Sequence, residues 1–162
     1  MSLEFRDEAY DGPSAQQLID ALQAEYVVRY GGPDETPVDP AEFAPPDGRF
    51  VIGYLDGVPV ATGGLRRRSA RDVEIKRMYV VPESRGRGLS REMLAALEAR
   101  ACDMGAERVV LETGERQPEA IRLYETSGYE PTERFGYYAD APMSRYYAKD
   151  LGVVEELRRF SG

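Results

Sequence analysis

The stretch from Val73 to Arg91, VEIKRMYVVPESRGRGLSR, constrains this chain more than any other. Val73 to Val81 is rich in β-branched and aromatic residues and predicts a strand. Pro82 cannot donate to a ladder and stops it. Leu89, Met93, Leu97, Ala101 and Met104 then recur on one face of a helix from Leu89 to Met104. Gly105 follows where a left-handed cap is wanted.

Between strand and helix lies Arg85-Gly86-Arg87-Gly88. The first N–H groups of a helix have no internal partner and the macrodipole is positive there, so a glycine-bearing turn at that place can receive an anion. Phosphate is the natural guest, with Arg85 and Arg87 adding charge. The alternative is an ordinary strand-to-helix turn with solvated arginines. A Walker loop needs a lysine before its Ser/Thr, and Gly88-Leu89-Ser90 has none. A dinucleotide fingerprint needs a third glycine, and Arg91 stands in its place.

Arg85-Gly86-Arg87-Gly88-Leu89-Ser90 resembles the acetyl-CoA signature of the GNAT N-acetyltransferases, Arg/Gln-x-x-Gly-x-Gly/Ala, with Ser90 departing at the last position. About 30 residues later, Gln117-x-x-Ala120-x-x-x-Tyr124-x-x-x-Gly128-Tyr129 is similar to the family's second motif, with Gln117 in place of Asn. The resemblance covers most of the chain. It implies an α/β (α+β) fold: a mixed, mostly antiparallel sheet of about six or seven strands flanked by helices. It also implies one N-acetyltransferase domain over 1–162, with an acetyl-CoA core at about 72–130. Segments at about 26–48 and 136–144 would line the acceptor.

Length and composition agree with that outline. A chain of 162 residues supports one well-buried core. It has no histidine, which excludes His-based triads and His-ligated metals, and no metal is expected. The single Cys102 excludes an intrachain disulfide and reads as a packing residue. No apolar run approaches the roughly 20 residues of a membrane span, and the acidic N-terminus has no signal-peptide character. The cytoplasm is the expected compartment, with no membrane partner. A net charge of −8 argues against nucleic-acid binding.

Along the chain, Leu3 to Arg6 alternates as a short strand. Ser14 to Gln17 fits a capping box opening a helix to about Tyr30, which Gly31-Gly32 ends. Gly31 to Gly48 is proline-rich and acidic, with a helical turn expected at Asp39-Pro40; loops of this length are often functional. Arg49–Leu55 and Val58–Leu65 form a hairpin around Asp56-Gly57. Arg66-Arg67-Arg68 reads as a solvated tip. Arg108 to Thr113 is a strand, and Gln117 caps a helix with Pro118 at its first position. Tyr129–Phe135 and Arg145–Leu151 read as the final strands. Val153, Val154 and Leu157 have the spacing of a short terminal helix.

Acyl transfer to an amine needs a base, because an alkyl ammonium has a pKa of about 10.4. Strict alternation on the central strand would put Glu74, Lys76, Met78 and Val80 on one face and Ile75, Arg77, Tyr79 and Val81 on the other. By the resemblance, Glu74 falls where a general base sits, and Glu112 on the neighbouring strand is an equal candidate. The resemblance makes Tyr124 the general acid and pairs Met78, Tyr79 and Val80 with the pantetheine arm. Arg85, Gly86, Arg87, Gly88, Leu89, Ser90, Gln117 and Tyr124 complete the acetyl-CoA contacts. The ordinary readings stand beside these: an ion-paired Glu74, an aromatic Tyr124 packed in the core. The implied function is direct acetyl transfer from acetyl-CoA to a primary amine of a small molecule or peptide. A non-catalytic acetyl-CoA sensor and an unrelated phosphate-binding domain are the rivals. A homodimer is an arrangement the resemblance allows.

Overall fold

The structure, a computed structural model, describes residues 2–152. The terminal helix expected around Val153, Val154 and Leu157 lies outside them. The strands are β1 (Leu3–Asp7), β2 (Gly48–Leu55), β3 (Val58–Arg67), β4 (Asp72–Val80), β5 (Arg108–Gly114), β6 (Glu130–Pro131) and β7 (Ser144–Asp150). The helices are α1 (Pro13–Tyr30), α2 (Leu89–Asp103) and α3 (Pro118–Thr126). The sheet order is β1-β2-β3-β4-β5-β7-β6. β4 and β5 are parallel, as a crossover through a helix requires. The other neighbouring pairs are antiparallel.

Both faces of the sheet are covered. Met93 and Leu97 of α2 pack on Val73, Ile75, Val109 and Leu111. Leu18, Ile19 and Leu22 of α1 pack with Phe43, Phe50 and Ile52 on the other side. Leu97 is fully buried, and truncating such a leucine to alanine costs roughly 2–5 kcal/mol. The β2–β3 hairpin turns on Asp56 and Gly57, both at positive φ (51° and 82°), the mirror-image turn whose twist matches that of the strands.

Several local expectations are corrected. α1 opens with Pro13 at its first position and Gly12 as its N-cap, and no side chain caps it. Proline's preset φ starts the helix there, leaving Ser14 inside. The capping box is instead at the 3-10 turn Pro40–Phe43, where Asp39 and Glu42 cap reciprocally. The strand expected over Tyr129–Phe135 is only Glu130–Pro131, because Pro131 has no N–H to extend a ladder. Arg66 is not in a solvated tip. It lies within β3, 9% exposed, and its Nε donates to Glu74 Oε1 at 3.0 Å.

The most consequential correction concerns β4. Arg77 has φ 59°. Against β3, Thr62 pairs with Tyr79 but Gly64 pairs with Lys76, so β4 holds one residue more than its partner there. This bulge resets the alternation. Val73 and Ile75 face the α2 core, and so do Met78 and Val80. Glu74, Lys76, Arg77 and Tyr79 face the α1 side. Met78 and Val80 therefore do not share a face with Glu74 and Lys76.

β4 also parts from β5. Their pairing runs only from Asp72–Arg108 to Ile75–Leu111. Beyond it β4 continues to Val80 and β5 to Gly114. The sheet is open between these two arms.

Candidate active site

Two adjoining cavities lie beside these arms, one lined by β4 and the other by the end of β5. One, of about 380 Å³, is lined by Met78, Tyr79 and Val80 of β4, by Arg85, Gly86, Gly88, Leu89 and Ser90 of the turn, and by Gln117 and Tyr124 of the α3 side. These are the positions expected to contact acetyl-CoA, except Arg87, which does not line it. Gly86 and Gly88 have φ 80° and 78°, and Gly88 is the N-cap of α2. Neither glycine is forced by crowding, since a Cβ at either would meet nothing within 4 Å. Backbone conformation demands them, and it brings the turn directly onto the partnerless N–H groups of α2.

Arg85 is held by its neighbours rather than left to solvent. Its Nε donates to the Val80 carbonyl at 2.9 Å and its Nη2 to Glu25 Oε2 at 2.6 Å. Arg91 and Arg122 also line the cavity, with Arg91 donating to Ser127 Oγ and Thr126 Oγ1 at 2.9 and 3.0 Å. The signal that would have found them is positive charge in the first turn of α2 and the second turn of α3.

The second cavity, of about 400 Å³, shares Tyr26 and Gln117 with the first. Its walls come from the end of α1, the loop after it, the end of β5 and the loop before β7, with Glu112, Asp34, Tyr138 and Ser144 among the contributors. Tyr30 closes down on Gly114: a Cβ at 114 would lie 1.9 Å from its phenol oxygen. Across the rim, Arg29 donates to the Arg116 carbonyl at 3.0 Å and Arg116 donates back to the Arg29 carbonyl at 2.9 Å.

The loop carrying Asp34 is latched onto β4. Asp34 Oδ2 accepts from Lys76 Nζ at 3.1 Å and from Arg77 Nη1, and Oδ1 accepts from the Thr36 hydroxyl at 2.6 Å. Burial would raise the Asp34 carboxyl, but the two cations and the Thr36 hydrogen bonds outweigh it and hold it below the usual range. Glu112 goes the other way. Burial pushes it up, against the Ser144 hydrogen bond and the Lys76 charge. Burial likewise raises Tyr124, with the Glu112 charge adding to it, so its phenol stays protonated. The Tyr124 hydroxyl donates to Met78 Sδ at 3.7 Å, a weak contact.

The three side chains expected to carry chemistry are thus not all together. Tyr124 lines the first cavity and Glu112 the second, within electrostatic reach of each other. Glu74 lines neither; it is 4% exposed, and its Oε1 accepts from Arg66 and, at 3.4 Å, from Arg68. Gln117 stands at the N-cap of α3 without capping it and donates to the Tyr30 phenol at 3.4 Å.

The model of the Acetyltransferase (GNAT) family matches residues 15–129. The chain belongs to the GNAT family. It is an acyltransferase with the fold of that family. An IAA acetyltransferase of Azospirillum brasilense is 32% identical over 83% of this chain and 89% of its own. The uncharacterized N-acetyltransferase YjgM of Escherichia coli is 30% identical over 74% and 77%. Among solved structures, one from Klebsiella pneumoniae described as an acyl-CoA N-acyltransferase superposes with a TM-score of 0.77 at 29% identity, covering 92% of this chain and 97% of that one. A GNAT acetyltransferase from Elizabethkingia anophelis, solved with acetyl-CoA bound, shares the fold at a TM-score of 0.69 and 14% identity, covering 92% and 98%. Among the described residues, no helix is long and apolar enough to cross a membrane.

Proposed function

We propose that this GNAT protein transfers the acetyl group of acetyl-CoA directly to a primary amine, with Glu112 as base and Tyr124 as acid. The observation that carries this reading is the pair of cavities with a common wall, one bearing Tyr124 and the other Glu112. The first cavity fits CoA: two left-handed glycines at a helix start, Arg91 and Arg122 on its lining, and a strand arm with no partner on its β5 side. Acetyl-CoA supplies the activated thioester.

Glu112 takes a proton from the ammonium, and the freed amine attacks the acetyl carbon. The new C–N bond forms as the C–S bond breaks. A backbone N–H near Met78 on the unpaired arm donates to the carbonyl oxygen as charge gathers there. Tyr124 gives its phenol proton to the departing sulfur and regains one from solvent. The amine nitrogen gives up two protons in all; with Glu112 releasing its proton to solvent and Tyr124 reprotonated, the net result is one proton on the thiol and one in solvent. Glu112 is preferred over Glu74 because Glu74 is tied to Arg66 and Arg68 and lines neither cavity.

The test is free-thiol release from acetyl-CoA across a panel of amines, for wild type and Tyr124→Phe. Amine-dependent release that falls in the variant, with CoA affinity intact, is expected. Tight CoA binding without release from any amine would favour an acetyl-CoA sensor instead.

A further inference from the structure

Charge decides which amines the second cavity can hold. Asp34, Glu35 and Glu112 line it, and among the described residues no lysine or arginine does. The three carboxylates are not equivalent. Asp34 already answers Lys76 and Arg77, which commits the cations of this part of β4. Glu35 is exposed, and its N–H donates to the Tyr138 phenol at 2.8 Å. Glu112 is partly buried, and among the described residues no lysine or arginine lies within ion-pair distance of it. Its hydroxyl partner is Ser144. One inward carboxylate is therefore left for one incoming ammonium.

The remaining lining suits the rest of such a molecule. Tyr26 and Tyr30 from the end of α1 and Tyr138 from the loop before β7 line the cavity, and Pro33 and Met143 add apolar surface. A space of about 400 Å³ lies in the range of small-ligand sites. Ring faces also favour a cation that approaches them. A carboxylate carried by the substrate would meet Glu112 with no lysine or arginine on the described lining to receive it, which counts against it in a partly buried site. A second ammonium would find its counter-ion only at exposed Glu35.

We propose that the acceptor is a primary monoamine with an aromatic or apolar body and no carboxylate of its own, its ammonium on Glu112 and its body among Tyr26, Tyr30 and Tyr138. This rests on the transfer reading for its chemistry, though not for its binding.

The test titrates phenethylamine, phenylalanine and 1,4-diaminobutane into the protein saturated with CoA, by calorimetry. Phenethylamine should bind at least about tenfold more tightly than either of the others. Glu112→Gln, nearly isosteric, should shrink its advantage over phenylalanine, and Tyr30→Ala or Tyr138→Ala should weaken phenethylamine. Phenylalanine or the diamine binding as tightly, or phenethylamine not binding at all, overturns the proposal. Phenethylamine that binds as expected, while neither it nor any other amine releases thiol from acetyl-CoA, supports the binding assignment and overturns the transfer reading alone. Thiol release with an amino acid in preference overturns it and leaves transfer standing.

Discussion

Thr62, wholly buried on β3, donates its hydroxyl to the carbonyl of Arg77 at 2.8 Å. That carbonyl belongs to the left-handed residue of the β4 bulge, so one hydroxyl stabilises the backbone distortion after which Met78 and Val80 line the first cavity. Thr62→Val keeps the shape and removes the donor. An unsatisfied buried carbonyl costs about 1–3 kcal/mol, measurable as a lower urea midpoint. kcat/KM should fall with it, while Thr62→Ser should retain more of both.

Asp34→Asn should destabilise by about 3 kcal/mol, because it leaves Lys76 and Arg77 buried without their anion. The Asp34 carboxyl is held below its ordinary value of 3.8. Its contribution is therefore fully present above that pH and is lost as pH falls toward the lowered folded value. Denaturation of wild type and variant across pH should show two stabilities that converge only in strong acid. A gap unchanged at low pH would contradict this origin.

Glu112→Gln should separate activity from stability. Loss of a positioned base lowers turnover by roughly 10²-fold or more. Yet burial raises the Glu112 carboxyl above its ordinary 4.5. A raised value means stability that is present below the ordinary pKa and lost as pH rises through the folded one. The permanently neutral variant should then be more stable than wild type at neutral pH, with the gap closing in acid. The acid limb of the wild-type rate profile should lie above pH 4.5 for the same reason.

Gly88→Ala forces a side chain into φ 78° in otherwise open space. The cost is conformational, about 1–2 kcal/mol, and it falls on the turn that meets the α2 N-terminus. KM for acetyl-CoA should rise severalfold while KM for the amine stays close to wild type in initial-rate measurements.

The parts of this protein that were legible in its sequence are those written in local chemistry. The β-branched and aromatic run stopped by Pro82, the glycines of the turn, the apolar face from Leu89 to Ala101 and the Asp56-Gly57 hairpin each carry their own backbone preference. They appear where expected. The Tyr124 helix followed from the same rules, whereas Glu112 lies just past the β4–β5 pairing and faces Tyr146 of β7, which no local rule gives. Strand phase failed at Arg77, because no composition marks a bulge occupied by an arginine.

What the chain determined by itself is the order of elements and the glycine turn, since φ freedom and hydrophobic period are properties of a few adjacent residues. Only the tertiary structure decided which carboxylate meets the cavity. Glu74 and Glu112 are equally acidic in the sequence, but Arg66 and Arg68 occupy the first and no described cation pairs with the second. It also decided that Asp34, 42 residues before Lys76, would neutralise that lysine and Arg77. Charges and cavity walls are set by neighbours distant along the chain, and no local pattern encodes who those neighbours will be.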